Sequence, residues 1–316
     1  RRVLFRSARA EVAQLIGAEP TEVVFTGSGT ESDNLAVRGA AEALLPAGRR
    51  HIIVSAIEHE AVLNTVKALA KRGWQVTLLP VDDRGIVDVD ALRQALTDDT
   101  ALVSVMHANN EIGTIQPITA LAALTRERGA LFHTDAVQSA GKIPIDVRTL
   151  GVDLLSVSAH KFCGPKGVGA LWIRRGLRLV PVLTGGKHER SRRAGTENVA
   201  GIAGMGAAAL DARLRLDTEG TRLSALRDHL EHVAEQHVVR YGQARWVVDV
   251  AAEREPHLAR EAAAGRVLAQ VRHQLGGHCR CERRVVDHRV RVDVVEHGPV
   301  RDRKSTRLNS SHVALS

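Results

Sequence analysis

Short apolar runs recur along the first 236 residues, each separated from the next by a loop or by a stretch long enough for a helix. Positions 22–26, 51–55, 74–80, 101–106, 130–134, 153–158 and 168–173 are rich in Val, Ile, Leu or Phe, and turn-forming residues bound most of them, the signature of strands. Helix formers fill 31–45, 61–72, 88–96 and 117–128, and a long helix is expected from about 199 to 235. Most of the runs are apolar throughout instead of alternating with polar residues, which suits strands covered on both faces. Strand–helix alternation implies crossover connections, so the pattern predicts an α/β domain on a mostly parallel sheet.

After Gln236 the texture changes. Arg, Val and His gather in runs such as 283–292, while caps, turns and periodicity become hard to place. Seven of the 15 histidines fall in the last 80 residues but only one of the seven lysines, Lys304. Such text is what GC-rich DNA yields in a wrong reading frame, and 3–7 and 304–312 resemble translated sequencing-adapter sequence. The expected organisation is therefore one domain over 8–236, a divergent or frame-shifted small-domain region over 237–300, and a non-native leader (1–7) and tail (301–316).

Composition narrows the function classes. Apolar residues make up 44% and charged residues 25% of the 316, ordinary values for a globular protein. The net charge of +8 hints at nucleic acid, but residues 237–316 hold 15 Lys and Arg against 9 Asp and Glu, whereas the first 236 hold 29 against 27. A balanced body with a basic end is not a basic binding face, and 3% aromatics argue against base stacking. No apolar run is long enough to span a bilayer, and the start does not read as a signal peptide. Three cysteines, Cys163, Cys279 and Cys281, cannot build a disulfide scaffold. A cytoplasmic protein with neither a nucleic-acid nor a membrane partner is expected.

Three motifs carry chemistry. Thr26-Gly27-Ser28-Gly29-Thr30-Glu31 lies between a strand and a helix, where glycines allow a sharp turn and free helix N–H groups can cradle a phosphate. The same turn also fits a plain strand–helix connection, and it is neither a Walker loop nor a dinucleotide fingerprint. In Phe132-His133-Thr134-Asp135-Ala136-Val137-Gln138-Ser139, Asp135 follows directly on a strand. It either points into the crevice where parallel sheets bind ligands or caps the next helix. In 156–169, Lys161 follows Ala159 and His160 at a strand end before a Gly-Pro turn, a setting for an amine that forms a Schiff base; Lys166 reads as a turn lysine. Strand-end acid, Schiff-base lysine and phosphate turn together specify pyridoxal 5'-phosphate.

With Glu58-His59-Glu60-Ala61-Val62-Leu63, His107-Ala108-Asn109-Asn110-Glu111-Ile112-Gly113 and Arg193-Ala194-Gly195-Thr196-Glu197-Asn198-Val199, these motifs stand in the order of the cysteine desulfurases. Residues 8–236 resemble that family of class V aminotransferase-like, fold-type I pyridoxal-phosphate enzymes. The resemblance implies the family's large domain, with the small domain absent or scrambled, and a homodimer. It makes Lys161 the Schiff-base lysine, Asp135 the partner of the pyridine nitrogen and Gln138 that of the ring hydroxyl. His59 becomes the imidazole that stacks on the ring and assists proton transfer, so Lys161 and His59 are the catalytic pair. Asn110 would orient cofactor and substrate. Gly29, Thr30, Ser158 and His160 would hold the phosphate, and Thr196 would reach the phosphate of the other subunit. Asn109 and Glu111 are expected to shape the loop.

Departures from the family pattern matter as much. Lys187 and Ser191 stand where the family has glycines. The family's persulfide-forming cysteine lies in a loop rich in Ser, Gly and Ala, a setting Cys279 and Cys281 lack, and Cys163 reads as a packed side chain. No arginine matches the one that binds the substrate carboxylate. Cys279 and Cys281 with His278 and His288 give only a weak zinc signal, and no metal is expected. The implied activity is conversion of L-cysteine to L-alanine, leaving a persulfide for a sulfur acceptor or iron–sulfur scaffold protein, with this chain an incomplete, inactive form. The alternatives are a selenocysteine lyase or aminotransferase of the same superfamily, or an inactive cofactor-binding fragment.

Overall fold

The computed structural model describes residues 2–238 and two later strands, with side chains described over 3–233. Seven strands form one sheet in the order β1-β7-β6-β5-β4-β2-β3. They are β1 (Val23–Thr26), β2 (His51–Ser55), β3 (Gln75–Leu79), β4 (Thr100–Ser104), β5 (Leu131–Asp135), β6 (Leu154–Ser158) and β7 (Gly169–Ile173). Each lies within two residues of an apolar run in the sequence. Strands β3, β2, β4, β5 and β6 are parallel, while β7 runs antiparallel to both β6 and β1. The reversal follows from chain length, because only residues 159–168 separate β6 from β7 and a parallel return needs a dozen residues or more.

Helices α2 (Gly29–Leu44), α3 (Glu60–Ala70), α4 (Val89–Ala95), α5 (Ile118–Glu127), α6 (Val147–Leu150) and α7 (Val199–Val238) join α1 (Arg2–Leu15) around the sheet. Successive strand residues point to opposite faces, and both faces are covered. Ile53, Val103 and Phe132 pack with Val12 of α1, Leu121 of α5 and Met205 of α7. Ile52, Val54 and Leu102 pack with Leu35 of α2 and Val62 and Val66 of α3. Two-sided burial is why most of the strands read as unbroken apolar runs; β3, at the sheet edge, is partly exposed. Helix α2 starts two residues ahead of expectation because the Ser28 side chain accepts the Glu31 backbone N–H at 3.1 Å and caps it.

The sequence reading placed no helix at α1. Arg9 turns inward from it, donating to both oxygens of Glu189 at 2.8 and 2.7 Å. Its guanidinium lies 4.7 Å from the Phe5 ring and 4.6 Å from the Phe25 ring. Residues 3–7, read as a leader, lie within α1, and Phe5 meets Phe25 edge-on at 5.5 Å. Of the tail, strands β8 (Arg280–Val286) and β9 (Arg289–Val295) form an antiparallel pair in a separate unit, with Cys281 opposite Val294. The rest of 239–316, including Cys279, His278 and His288, lies outside the described residues. Among the described residues no helix is long and apolar enough to cross a membrane.

Glu189 is held in a strained turn. Glu189, Arg190 and Ser191 take φ of 45°, 56° and 63°, the left-handed region that favours glycine. Lys187 has φ of −79°, so of the two positions where the resemblance expects glycine only Ser191 stores strain. Ser191→Gly is therefore expected to stabilise the chain by about 0.5–1 kcal/mol, relief of strain being partly offset by the freer unfolded chain. Chemical denaturation checks this; unchanged or lower stability would remove strain at Ser191.

Candidate functional site

Parallel strands deliver their carboxyl ends to one edge of the sheet, and β1 runs the same way as β6. The segments after β1, β2, β4, β5 and β6 therefore converge, and every expected site residue except Thr196 lies on one of them or, as with Asp135 and Ser158, at the strand end before it. Gly29 shows how closely they approach. A Cβ there would meet Val137 Cγ2 at 2.8 Å and Ser158 Cβ at 3.2 Å, so only glycine lets the N-terminus of α2 close on the ends of β5 and β6. Ser158 is buried, and its hydroxyl pairs with His160 Nδ1 at 2.9 Å. Burial, and then the nearby charges of Lys161, Lys166 and Lys142, lower the pKa of His160. This corner is electropositive.

Asp135 closes β5 and is buried; its carboxylate accepts the Val137 N–H at 2.8 Å, so it does cap the following turn. Burial pushes its pKa up, while that N–H and the charges of His59 and Lys161 pull it down. Lys161 is half-buried, and Gln138, also half-buried, accepts from Lys142 Nζ at 3.3 Å. His59 is exposed and caps α3, its Nδ1 accepting the Ala61 N–H at 3.1 Å. Thr30 and His59 border a cavity of about 580 Å³ between α2 and α3, with Arg38, Asn64 and Arg72 on its wall.

The loop after β4 is tied to its neighbours. His107 donates its backbone N–H to Asp135 O at 2.8 Å, and its ring pairs with Ser139 Oγ at 2.8 Å. Asn109 accepts from Glu111 N and Ile112 N at 2.8 and 3.0 Å and donates to Ile57 O at 3.0 Å, a loop-shaping role; Asn110 beside it is half-buried. Thr196 is exposed, on a loop that Arg193 ties to α2 through Glu31 at 2.7 Å. Cys163, expected to be packed, is exposed: it ends the turn after β6 in a left-handed conformation with φ of 67°.

Three buried titratable groups behind the site carried no signal beyond their motifs. Glu58 is pushed up to about 8 by burial, against hydrogen bonds from Ser55 and Met106 and in concert with the charge of Asp135. Asp33 on α2 is pushed well above its ordinary range by burial and by Asp135 and Glu58. His133 lies between Ser104 Oγ at 2.8 Å and Ser156 Oγ at 3.0 Å, and burial drives it down to about 3.

A model of the aminotransferase class-V family matches residues 2–262. The cysteine desulfurase IscS of Dictyoglomus turgidum is 53% identical over 237 residues, 75% of this chain and 60% of that protein. Among solved structures, a NifS-like protein is 41% identical with a TM-score of 0.72, over 74% of this chain and 65% of its own. SspA in complex with cysteine is 40% identical with a TM-score of 0.64, over 66% of this chain and 60% of its own. The chain belongs to the aminotransferase class-V family, whose members are transferase-type α/β enzymes. Within that family its relatives are cysteine desulfurases, as the order of the motifs suggested, and the chain spans about 60% of the length of the first of them.

His133 makes the fold acid-sensitive. It is neutral when folded but protonates near pH 6.5 when unfolded, so its contribution is full above that pH and is lost as pH falls toward 3. Between pH 5.5 and 4.5, His133→Gln should flatten the loss of stability by about 1.3 kcal/mol per pH unit. Denaturation across that range checks it, and equal slopes would count against a neutral His133.

Proposed function

We propose that this chain carries the cofactor-binding domain of a pyridoxal-phosphate-dependent cysteine desulfurase. The observation that supports it best is Asp135. It is a buried carboxyl at a strand end, where burial raises its pKa and the Val137 N–H, His59 and Lys161 oppose that rise, beside a helix N-terminus that only Gly29 lets close. These residues fit the cofactor in three ways. Asp135 is an anion suited to a protonated ring nitrogen, Lys161 is an amine suited to the aldehyde, and the α2 N-terminus suits the phosphate. Gly29, Thr30, Ser158 and His160 would hold the phosphate, Gln138 the ring hydroxyl, and Asn110 the amino-acid end of the substrate.

When bound, pyridoxal phosphate supplies an electron-withdrawing ring that labilises bonds of an attached amino acid. The chain's own residues prepare for that. With the Val137 N–H, His59 and Lys161 opposing its desolvation, Asp135 would serve as the anion that keeps a proton on the ring nitrogen. His59 is held through Nδ1, which accepts the Ala61 N–H, and this leaves Nε2 as the ring nitrogen that can exchange a proton. L-cysteine is the proposed substrate and L-alanine the product. In the whole protein the sulfur would pass to a cysteine thiolate and then to a sulfur acceptor or iron–sulfur scaffold protein. We place the working unit as a cytoplasmic homodimer in which Thr196 reaches the partner subunit's phosphate.

One preparation tests both parts. The full chain with pyridoxal phosphate should show the Schiff-base absorption band, and Lys161→Ala should abolish it; an unchanged band would mean that Lys161 is not the anchor. With L-cysteine and a reductant the chain should release no alanine, since the sequence around Cys279 and Cys281 lacks the Ser-, Gly- and Ala-rich composition expected of a loop that carries a thiolate to the substrate sulfur. Turnover that disappears in Cys279→Ser or Cys281→Ser would overturn that expectation and identify the nucleophile.

A further inference from the structure

Three carboxyl groups are buried near one another, Asp135 in the site at the end of β5 and, behind it, Asp33 on α2 and Glu58 just before α3. They lie within electrostatic reach, since Asp33 responds to both others and Glu58 responds to Asp135. Three anions cannot be sustained there. The cations that act on the trio, His59 and Lys161, act on Asp135, which also takes the Val137 N–H. His107 and His133 are held neutral by burial.

Glu58 is arranged asymmetrically. Its Oε1 accepts the Ser55 hydroxyl and, at 2.7 Å, the Met106 N–H. Its Oε2 is buried with no hydrogen-bond partner among the described residues, and so is Asp33 Oδ1, which stands 3.7 Å from His133 Nε2. An ionised oxygen sealed away from any donor is far costlier than an O–H in the same place. Oε1 also has a mechanical effect, because Ser55 ends β2, Met106 follows β4, and His59 is the next residue in the chain. With the Asn109 side chain on Ile57 O, it gives segment 56–59 two attachments to 106–109.

We propose that Glu58 is a positioning residue that acts as a neutral carboxylic acid, fastening the His59 segment to the end of β4 and leaving Asp135 the anion of the buried trio. What this does for His59 and Asp135 rests on the cofactor reading above; the neutrality of Glu58 does not.

The test compares the full wild-type chain with Glu58→Gln and Glu58→Ala. The amide keeps an acceptor for Ser55 and Met106 but cannot ionise. Folded Glu58 holds its proton up to about pH 8, whereas in the unfolded chain it ionises near 4.5, so its contribution weakens as pH rises between those values and levels off above them. The folding constant of Glu58→Gln relative to wild type should therefore rise about tenfold per pH unit between roughly pH 5 and 7.5. An infrared difference spectrum, wild type minus Glu58→Gln at pH 6, should show the carbonyl stretch of a protonated acid, and Glu58→Ala should be less stable than Glu58→Gln at every pH. A ratio that does not change with pH, no carbonyl band, or Glu58→Gln folding no better than Glu58→Ala would each overturn the proposal. If the pH profile is as expected but pyridoxal phosphate gives the wild-type chain no Schiff-base band, the cofactor reading fails and Glu58 keeps its role.

Discussion

A carboxylate buried at the end of a central parallel strand is the feature around which the site is organised. Desolvation at Asp135 favours the protonated acid, and what opposes it arrives from three directions: the Val137 N–H on the same strand end, His59 after β2 and Lys161 after β6. None of these segments is close in sequence to another. They meet because parallel strands deliver their carboxyl ends to one edge, so the electrostatics of the site depend on the topology of the sheet.

The packing serves the same geometry. Gly29 lets α2 close on β5 and β6, Ser28 caps the helix there, and Glu31 holds both Gly27 N and Arg193, each at 2.7 Å. The loop that carries Thr196 is thereby tied to the same helix N-terminus. Farther off, the Arg9–Glu189 pair joins α1 to the turn at 188–191, and Glu189 also accepts Phe25 N at 3.0 Å, so a buried ion pair steadies the strand from which the Gly29 turn departs.

Much of this was legible in the sequence, for physical reasons. Strands buried on both faces leave continuous apolar runs, and the ends of those runs marked the positions of Asp135, Ser158 and Lys161. Helix α1 was not legible, because Arg6 and Arg9 interrupt its apolar face and nothing local shows that Arg9 turns inward onto Glu189, 180 residues away. The direction of β7 was readable only through the shortness of the 159–168 connection. Glu58, Asp33 and His133 sit inside recognisable motifs, yet their chemistry comes from burial and from one another, which spacing does not encode. Cys163 went the other way: its motif suggested packing, and a left-handed backbone exposes it.

The central claim is that Asp135 is the anionic partner of a bound cationic ring. The most direct measurement is the stability of the full chain with and without pyridoxal phosphate, for wild type and for Asp135→Asn. Ligand at a hundredfold excess over Kd adds about 2.7 kcal/mol to a protein that binds it only when folded. The account predicts a gain of that order for wild type, largely lost in Asp135→Asn. Equal stabilisation of the two would contradict it.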